Sequence, residues 1–182
     1  MANRTICDFA PDAEGTFTPD GDREEQPEQK TGNRSSWYRF TRSTFTWEGI
    51  ARETYRGGDA GLAGLVRNII VGSHGESSPF DLRYFEMEPG GSSGTVRHPG
   101  EHVVIGVRGK GTAVVEGRAL DLNPLDVLYI GPDELHQIHN REEQPFGFFC
   151  IVGSGREQVA LPLQDELEWL QEAVQTRVGI RK

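Results

Sequence analysis

This chain has no long apolar segment, because none of its hydrophobic runs approaches the ~20 residues that cross a lipid bilayer. Residues 1–9 also lack the basic and then apolar arrangement of a signal peptide. Excess positive charge is missing as well, since the formal net charge is −9. Such a surface repels nucleic-acid phosphates and anionic lipids. We therefore expect a cytoplasmic protein with neither nucleic-acid nor membrane partners.

Cysteine is equally scarce, with only Cys7 and Cys150 in 182 residues. Neither cysteine belongs to a CxxC pair, so a structural zinc knuckle is not expected, and two isolated cysteines do not make a disulfide framework. The length suits one domain, and one domain of this size buries a core without disulfides.

The chain divides into three stretches of different composition. Residues 1–35 are rich in Asp, Glu, Pro, Gln and Gly, which predicts a disordered leader. Residues 36–160 contain short β-branched and aromatic runs bounded by Gly, Pro, Asn or Asp, which is typical of a sandwich or barrel. Residues 161–182 carry apolar residues at three-to-four-residue steps, which predicts a C-terminal α-helix that covers the outside of the barrel or a partner chain. These apolar positions are Leu163, Leu167, Leu170, Val174 and Val178.

Three of the five histidines lie in two segments, GTVRHPGEHVVIGVRG at 94–109 and DVLYIGPDELHQIHN at 126–140. Side chains four residues apart in an extended strand share a face but lie ~13 Å apart. The Pro-Gly turn between them is therefore what would allow His98 and His102 to bind the same metal ion. His136 follows a second turn. Three neutral imidazoles bind Zn, Fe, Cu, Ni or Mn and leave open coordination positions. The alternative is that all three are ordinary hydrogen-bonding or surface histidines.

These two segments resemble the two signature motifs of the cupin superfamily, and of its small single-domain members in particular. The second motif of that family runs Pro, three residues, His, three residues, Asn, and Pro132, His136 and Asn140 match it. In the first motif, His102 occupies the usual Glu position and Val96 occupies that of the first histidine. The resemblance covers residues 65–153 and implies an all-β fold, a double-stranded β-helix or jelly-roll barrel, to which the C-terminal helix is added.

The resemblance also implies a metal site and a function. The metal ligands would be His98, His102 and His136, with Fe or Mn favoured and Zn, Ni or Cu as further options. The function would be that of a metal-dependent oxidoreductase of the dioxygenase type acting on a small molecule, with no catalytic residue assigned. The alternative is a non-catalytic cupin that binds or senses a small ligand. In that case Val96, in place of the first histidine of the motif, would indicate a pocket that serves ligand binding instead of catalysis. Small cupins often pair through barrel edges, so we expect a homodimer.

Several further residues are expected around the site. In similar small cupins a cysteine at the position of Cys150 lies close to the pocket, although a small buried apolar role also suits it. His139 is expected to point away from the site by strand alternation, and His74 and Glu101 to face solvent. Candidates for the pocket wall, or equally for plain core, are Phe148, Ile138, Ile105 and Val107, and candidates for its mouth are Tyr129 and Arg97.

Overall fold

The computed structural model describes residues 35–54, 64–154 and 160–169, and these contain eleven β-strands and one helical segment at 164–169. The predicted leader, apart from its last residue, and the predicted helix beyond residue 169 lie outside the described residues. The strands are β1 (Phe40–Thr41), β2 (Thr46–Trp47), β3 (Glu53–Thr54), β4 (Leu65–Val71), β5 (Phe80–Met87), β6 (His102–Arg108), β7 (Gly111–Val115), β8 (Arg118–Leu122), β9 (Val127–Ile130), β10 (His136–His139) and β11 (Phe146–Gly153).

Two antiparallel sheets share one core. The larger sheet has six strands in the order β3-β4-β5-β11-β6-β9, and the smaller has three in the order β10-β7-β8. Side chains of both sheets belong to one buried apolar cluster, which includes Met87, Val104, Ala113 and Val115. The predicted all-β barrel is therefore confirmed.

The turn from β6 to β7 carries the chain from one sheet to the other. Gly109 has a φ of 65°, a conformation that glycine adopts without steric cost. A Cβ atom on Gly109 would also collide with the carbonyl oxygen of Pro145. The close approach of these two loops therefore requires glycine at this position.

An aromatic hairpin lies on the outer face of the larger sheet. Residues 37–47, whose composition predicts one or two edge strands, form β1 and β2, which pair with each other and join neither sheet. The Trp47 ring lies 4.9 Å from that of Tyr84 and 5.7 Å from that of Phe149, measured between centroids. The hairpin is thus held by aromatic packing on β5 and β11, which stabilises such pairs beyond simple burial.

The described tail lies at one end of the barrel. Arg97 and Ala160 exchange two backbone hydrogen bonds of 3.1 and 3.0 Å, and Arg97 also forms an ion pair with Glu166. Leu161 and Leu167 line the cavity inside the barrel. The expectation that this segment covers the outside of the barrel is therefore wrong for the described residues, because Leu161 and Leu167 line the cavity. Its alternative, that the segment covers a partner chain, stays a prediction. Within the same described ranges, no helix is long and apolar enough to cross a membrane.

Candidate metal centre

The three histidines of the two motifs come together at the open end of the barrel. His98 lies in the turn before β6, His102 begins β6, and His136 begins β10. Their ring centroids are 4.6, 5.3 and 5.4 Å apart in pairs. One potential ligand nitrogen from each ring lies within 4.8 Å of those of the other two. Two nitrogens bound to one metal lie at most ~4.2 Å apart. A small rotation of these side chains would therefore bring all three nitrogens within bonding distance of one ion.

Backbone hydrogen bonds hold the two motifs against each other. The amide of Val96 donates to the carbonyl of His136 over 3.1 Å, and the amide of His136 donates to the carbonyl of Val96 over 2.9 Å. The amide of Asp133, in the turn before β10, donates to the carbonyl of His98 over 2.7 Å. These bonds place the turn that carries His98 directly beside the start of β10. Backbone hydrogen bonds therefore fix the position of His98 relative to His136.

The electrostatics favour neutral imidazoles. Burial, together with the nearby charges of His98, His136 and Arg83, lowers the pKa of His102 to about 3. Burial also lowers the pKa of His136, although the hydrogen bond to Glu134 acts in the opposite direction. Metal ions bind the unprotonated imidazole nitrogen, so neutral rings are the form that a metal requires. The residues present therefore fit a divalent transition metal.

His136 has a defined ring orientation. Its Nδ1 lies 2.8 Å from the carbonyl oxygen of Glu134, and a carbonyl oxygen only accepts, so Nδ1 carries the hydrogen. The lone pair of Nε2 is then available. Metal-binding histidines commonly have this arrangement, in which one ring N–H donates to a fixed acceptor and the other nitrogen binds.

The remaining histidines lie outside this cluster. His139 follows His136 by three residues on β10 and does not line the cavity, as strand alternation predicts. His74 is exposed, and its Nε2 lies 2.9 Å from the carbonyl oxygen of Ile69. Glu101 is also exposed. Within the described ranges, His98, His102 and His136 are thus the cluster that suits a metal.

The histidines face a cavity of about 670 Å³ that runs into the barrel. Phe148 and Ile138 line it as predicted, but Ile105 and Val107 do not. Successive residues of a strand point to opposite faces, so the inward positions of His102 and Val104 turn the odd-numbered residues of β6 outward. The described cavity wall is mainly apolar and consists of Leu65, Phe85, Val96, Val104, Ile130, Ile138, Phe148, Cys150, Val152, Leu161, Pro162 and Leu167 besides its polar groups.

The two candidates for the cavity mouth differ. Tyr129 lies on β9 and is 61 % exposed without lining the cavity, so that prediction is wrong. Arg97 does not line the cavity itself but holds the tail that does, through Glu166. Val96, at the position where the family motif has its first histidine, lines the cavity beside His98. A valine there replaces a potential ligand with apolar wall.

Cys150 lies against the histidine cluster. Its Sγ is 3.5 Å from Nδ1 of His102, and it lines the cavity as a free thiol. Burial raises the pKa of this thiol to about 12, although the charge of Arg83 acts in the opposite direction. Both expectations for Cys150 therefore hold, because it is a buried neutral group and also a close neighbour of the site. Asn140 accepts a hydrogen bond from the amide of Glu142 over 3.1 Å, so it caps a turn.

Sequence reasoning missed the polar part of the cavity wall. Arg83 reaches the cavity from β5, where it is 8 % exposed and donates to Asp81 over 2.6 Å. Arg83 precedes Phe85 by two residues, and residues two apart in a strand share a face. Strand alternation could therefore have placed Arg83 on the same face as Phe85. The other polar wall residues are Ser93, Thr95 and Gln137, and nothing in their local sequence distinguishes them from loop or surface residues.

A jelly-roll barrel with histidines at its open end defines the cupin class, and comparison with known proteins agrees. The cupin domain family model matches residues 83–152. A Rhodospirillum rubrum protein, 1-methylthio-D-xylulose 5-phosphate methylsulfurylase, is 32% identical over 135 residues, which cover 73% of this chain and 85% of the relative. The chain belongs to the cupin superfamily.

Solved structures of similar proteins show the same architecture. A cupin-2 domain from Rhodospirillum rubrum has a TM-score of 0.67 at 26% identity, covering 79% of this chain and 98% of that one. A cupin 2 conserved barrel protein from Rhodopseudomonas palustris has a TM-score of 0.68 at 27% identity, covering 81% and 100%. A cupin 2 domain-containing protein from Halorhodospira halophila is 35% identical, with a TM-score of 0.59 and coverage of 82% and 99%.

Proposed function

We propose that this protein is a metal-dependent enzyme that uses His98, His102 and His136 as metal ligands and acts on a small anionic molecule. The observation that carries the proposal is the convergence of three imidazoles, one nitrogen of each within 4.8 Å of the others, on a cavity of about 670 Å³. A cavity of that volume suits a small molecule. Three protein ligands leave coordination positions open for that molecule.

The charge of the cavity supports an anionic substrate. Its described wall contains Arg83 and the three histidines but no carboxylate. A divalent metal bound by neutral imidazoles keeps its full positive charge, since no ligand neutralises it. When bound, the metal would supply Lewis-acid polarisation of a carbonyl or phosphoryl oxygen, or a position for dioxygen. The resemblance favours Fe or Mn, and Zn, Ni and Cu are further options because they also accept imidazole ligands.

The protein residues would bind and orient the substrate. The apolar wall that includes Phe85, Phe148 and Val96 would hold its uncharged part and exclude water. Arg83 would act on its anionic part through charge, although the bond to Asp81 already neutralises part of that effect. The Rhodospirillum rubrum relative is named for a substrate with both a methylthio group and a phosphate. A methylthio sugar phosphate is therefore the first substrate that we propose for this chain.

Dioxygenase chemistry is the second candidate. Its support is the resemblance to cupins with three histidine ligands, and three protein ligands leave positions open for dioxygen together with a substrate. The two candidates differ in one measurable property, which is the consumption of dioxygen. Binding of a small anion without any turnover would instead support the ligand-binding alternative.

The test uses full-length protein loaded with Mn(II) or Fe(II) in separate samples. Calorimetry measures the binding of 1-methylthio-D-xylulose 5-phosphate, phosphorus NMR follows its conversion, and an oxygen electrode monitors dioxygen. We expect binding and conversion without oxygen uptake, both lost in His136→Ala and retained in His74→Ala, which removes an exposed histidine outside the site. Oxygen uptake that depends on substrate would favour the dioxygenase instead. Equal behaviour of His136→Ala and wild type would contradict the proposed site.

A further inference from the structure

His102 and Cys150 are neighbours across two paired strands inside the barrel. His102 of β6 lies opposite Val152 of β11, and Val104 lies opposite Cys150. His102 and Cys150 are thus diagonal partners on the inner face, a separation at which side chains still interact. The Sγ of Cys150 lies 3.5 Å from Nδ1 of His102, within the range of a sulfur hydrogen bond.

A histidine that binds a metal through one ring nitrogen carries its hydrogen on the other, and that hydrogen needs an acceptor. His136 uses the carbonyl oxygen of Glu134 for this purpose, at 2.8 Å from Nδ1. His102 has a sulfur atom at the equivalent place. Sulfur is a weak acceptor, so this interaction orients the ring less strongly than a carbonyl does.

We propose that Cys150 is a positioning residue: its sulfur accepts a hydrogen bond from Nδ1–H of His102 and so leaves Nε2 unprotonated for a metal. The part that concerns the metal rests on the proposed function, whereas the tautomer is a property of the metal-free protein. The opposite arrangement, in which the thiol donates to Nδ1, would place the ring hydrogen on Nε2. That tautomer cannot bind a metal through Nε2, so the two arrangements have different consequences.

The first experiment determines the tautomer directly. Full-length, metal-free protein with nitrogen-15 in its histidines is examined by long-range proton–nitrogen NMR. We expect His102 to carry its hydrogen on Nδ1 in wild type and in Cys150→Ser, whose hydroxyl retains an acceptor. In Cys150→Ala we expect a shift of His102 toward the Nε2–H form. His136 should remain Nδ1–H in all three proteins, because its acceptor is untouched, and it serves as the internal reference.

The second experiment measures metal affinity in the same proteins by titration with Co(II), whose visible absorption reports the ligand geometry. Loss of a group that orients a metal ligand typically weakens affinity by about 10–100-fold. We expect a loss in that range for Cys150→Ala, near-wild-type affinity for Cys150→Ser, and no change for Cys7→Ser. Thermal unfolding of each metal-free variant verifies that it is folded.

The outcomes separate this inference from the proposed function. The positioning role would be overturned if His102 of the wild type carries its hydrogen on Nε2. It would also be overturned if Cys150→Ala has the same His102 tautomer and the same Co(II) affinity as the wild type. If wild type shows the Nδ1–H form, Cys150→Ala loses it and no protein binds Co(II), then the positioning role stands and the metal-dependent function fails.

Discussion

The rings of His98 and His102 lie 4.6 Å apart between centroids, although four positions separate them in the chain. An extended strand would hold such side chains ~13 Å apart. The turn at Pro99 and Gly100 closes that gap, and the hydrogen bond from Asp133 to the carbonyl of His98 fastens the turn to the other motif. The local chain path thus brings together residues that a regular strand would keep apart.

Val96→His should restore a fourth ligand. Val96 and His136 exchange both backbone hydrogen bonds, so their side chains share a face, and Val96 lines the cavity. We expect Co(II) or Mn(II) to bind about tenfold more tightly, or ~1.4 kcal/mol, as measured by titration calorimetry. Val103→His, which adds a histidine on the outward face of β6, is the control and should leave affinity unchanged. Equal or weaker binding by Val96→His would show that this wall position does not reach the metal.

The ion pair between Arg97 and Glu166 should control how firmly the tail covers the cavity. Both side chains are about one-third exposed, at 30% and 31%, so the pair is expected to contribute about 0.2–1 kcal/mol. Glu166→Gln should therefore speed amide hydrogen exchange at Arg97 and Ala160 by about 1.4–5-fold. The charge-swapped double variant Arg97→Glu/Glu166→Arg should recover part of the slow exchange, because an arginine at position 166 cannot accept the bond that the Leu163 amide donates to Glu166. Glu168→Gln should have no effect. Unchanged exchange in Glu166→Gln would show that the backbone bonds alone hold the tail.

Glu86 should make stability depend on pH. Burial alone raises the pKa of Glu86, but hydrogen bonds from Tyr84, Arg108 and Arg52, of 2.7–2.8 Å, outweigh that effect and hold the pKa below its ordinary value. The folded pKa is thus lower than the unfolded pKa, so ionised Glu86 stabilises the fold above the unfolded pKa. That stabilisation is lost as the pH falls through the folded pKa.

Glu86→Gln should accordingly lower the free energy of unfolding by about 1–3 kcal/mol at pH 7, measured by urea denaturation. The difference from wild type should shrink as the pH falls below the ordinary value of 4.5. Glu53→Gln is the matched control, because Glu53 pairs with Arg67 but is 52% exposed. A loss in Glu86→Gln that is the same at pH 3.5 and pH 7 would contradict this account.

The turn residues and the two motifs were enough to predict the barrel and the three clustered histidines. The placement of Ile105 and Val107 on the pocket wall was an error that the sequence could have avoided. Once His102 is assigned as an inward-facing ligand, strand alternation places both residues on the outer face. The sequence could not predict what the tail packs against. Its apolar residues, such as Leu163 and Leu167, predict a buried face but do not identify the surface that buries it. The ion pair with Arg97 joins residues 69 positions apart, a separation that no local pattern reports.

The most direct test of the metal site is the metal content of purified, untagged protein, measured by elemental mass spectrometry. The samples are wild type, His98→Ala/His136→Ala and His74→Ala, each before and after reconstitution with Mn(II), Fe(II) and Zn(II). We expect close to one transition metal per chain in wild type and His74→Ala, and almost none in the double variant. Absence of metal from reconstituted wild type, or equal metal in all three proteins, would contradict the assignment of His98, His102 and His136 as a metal centre.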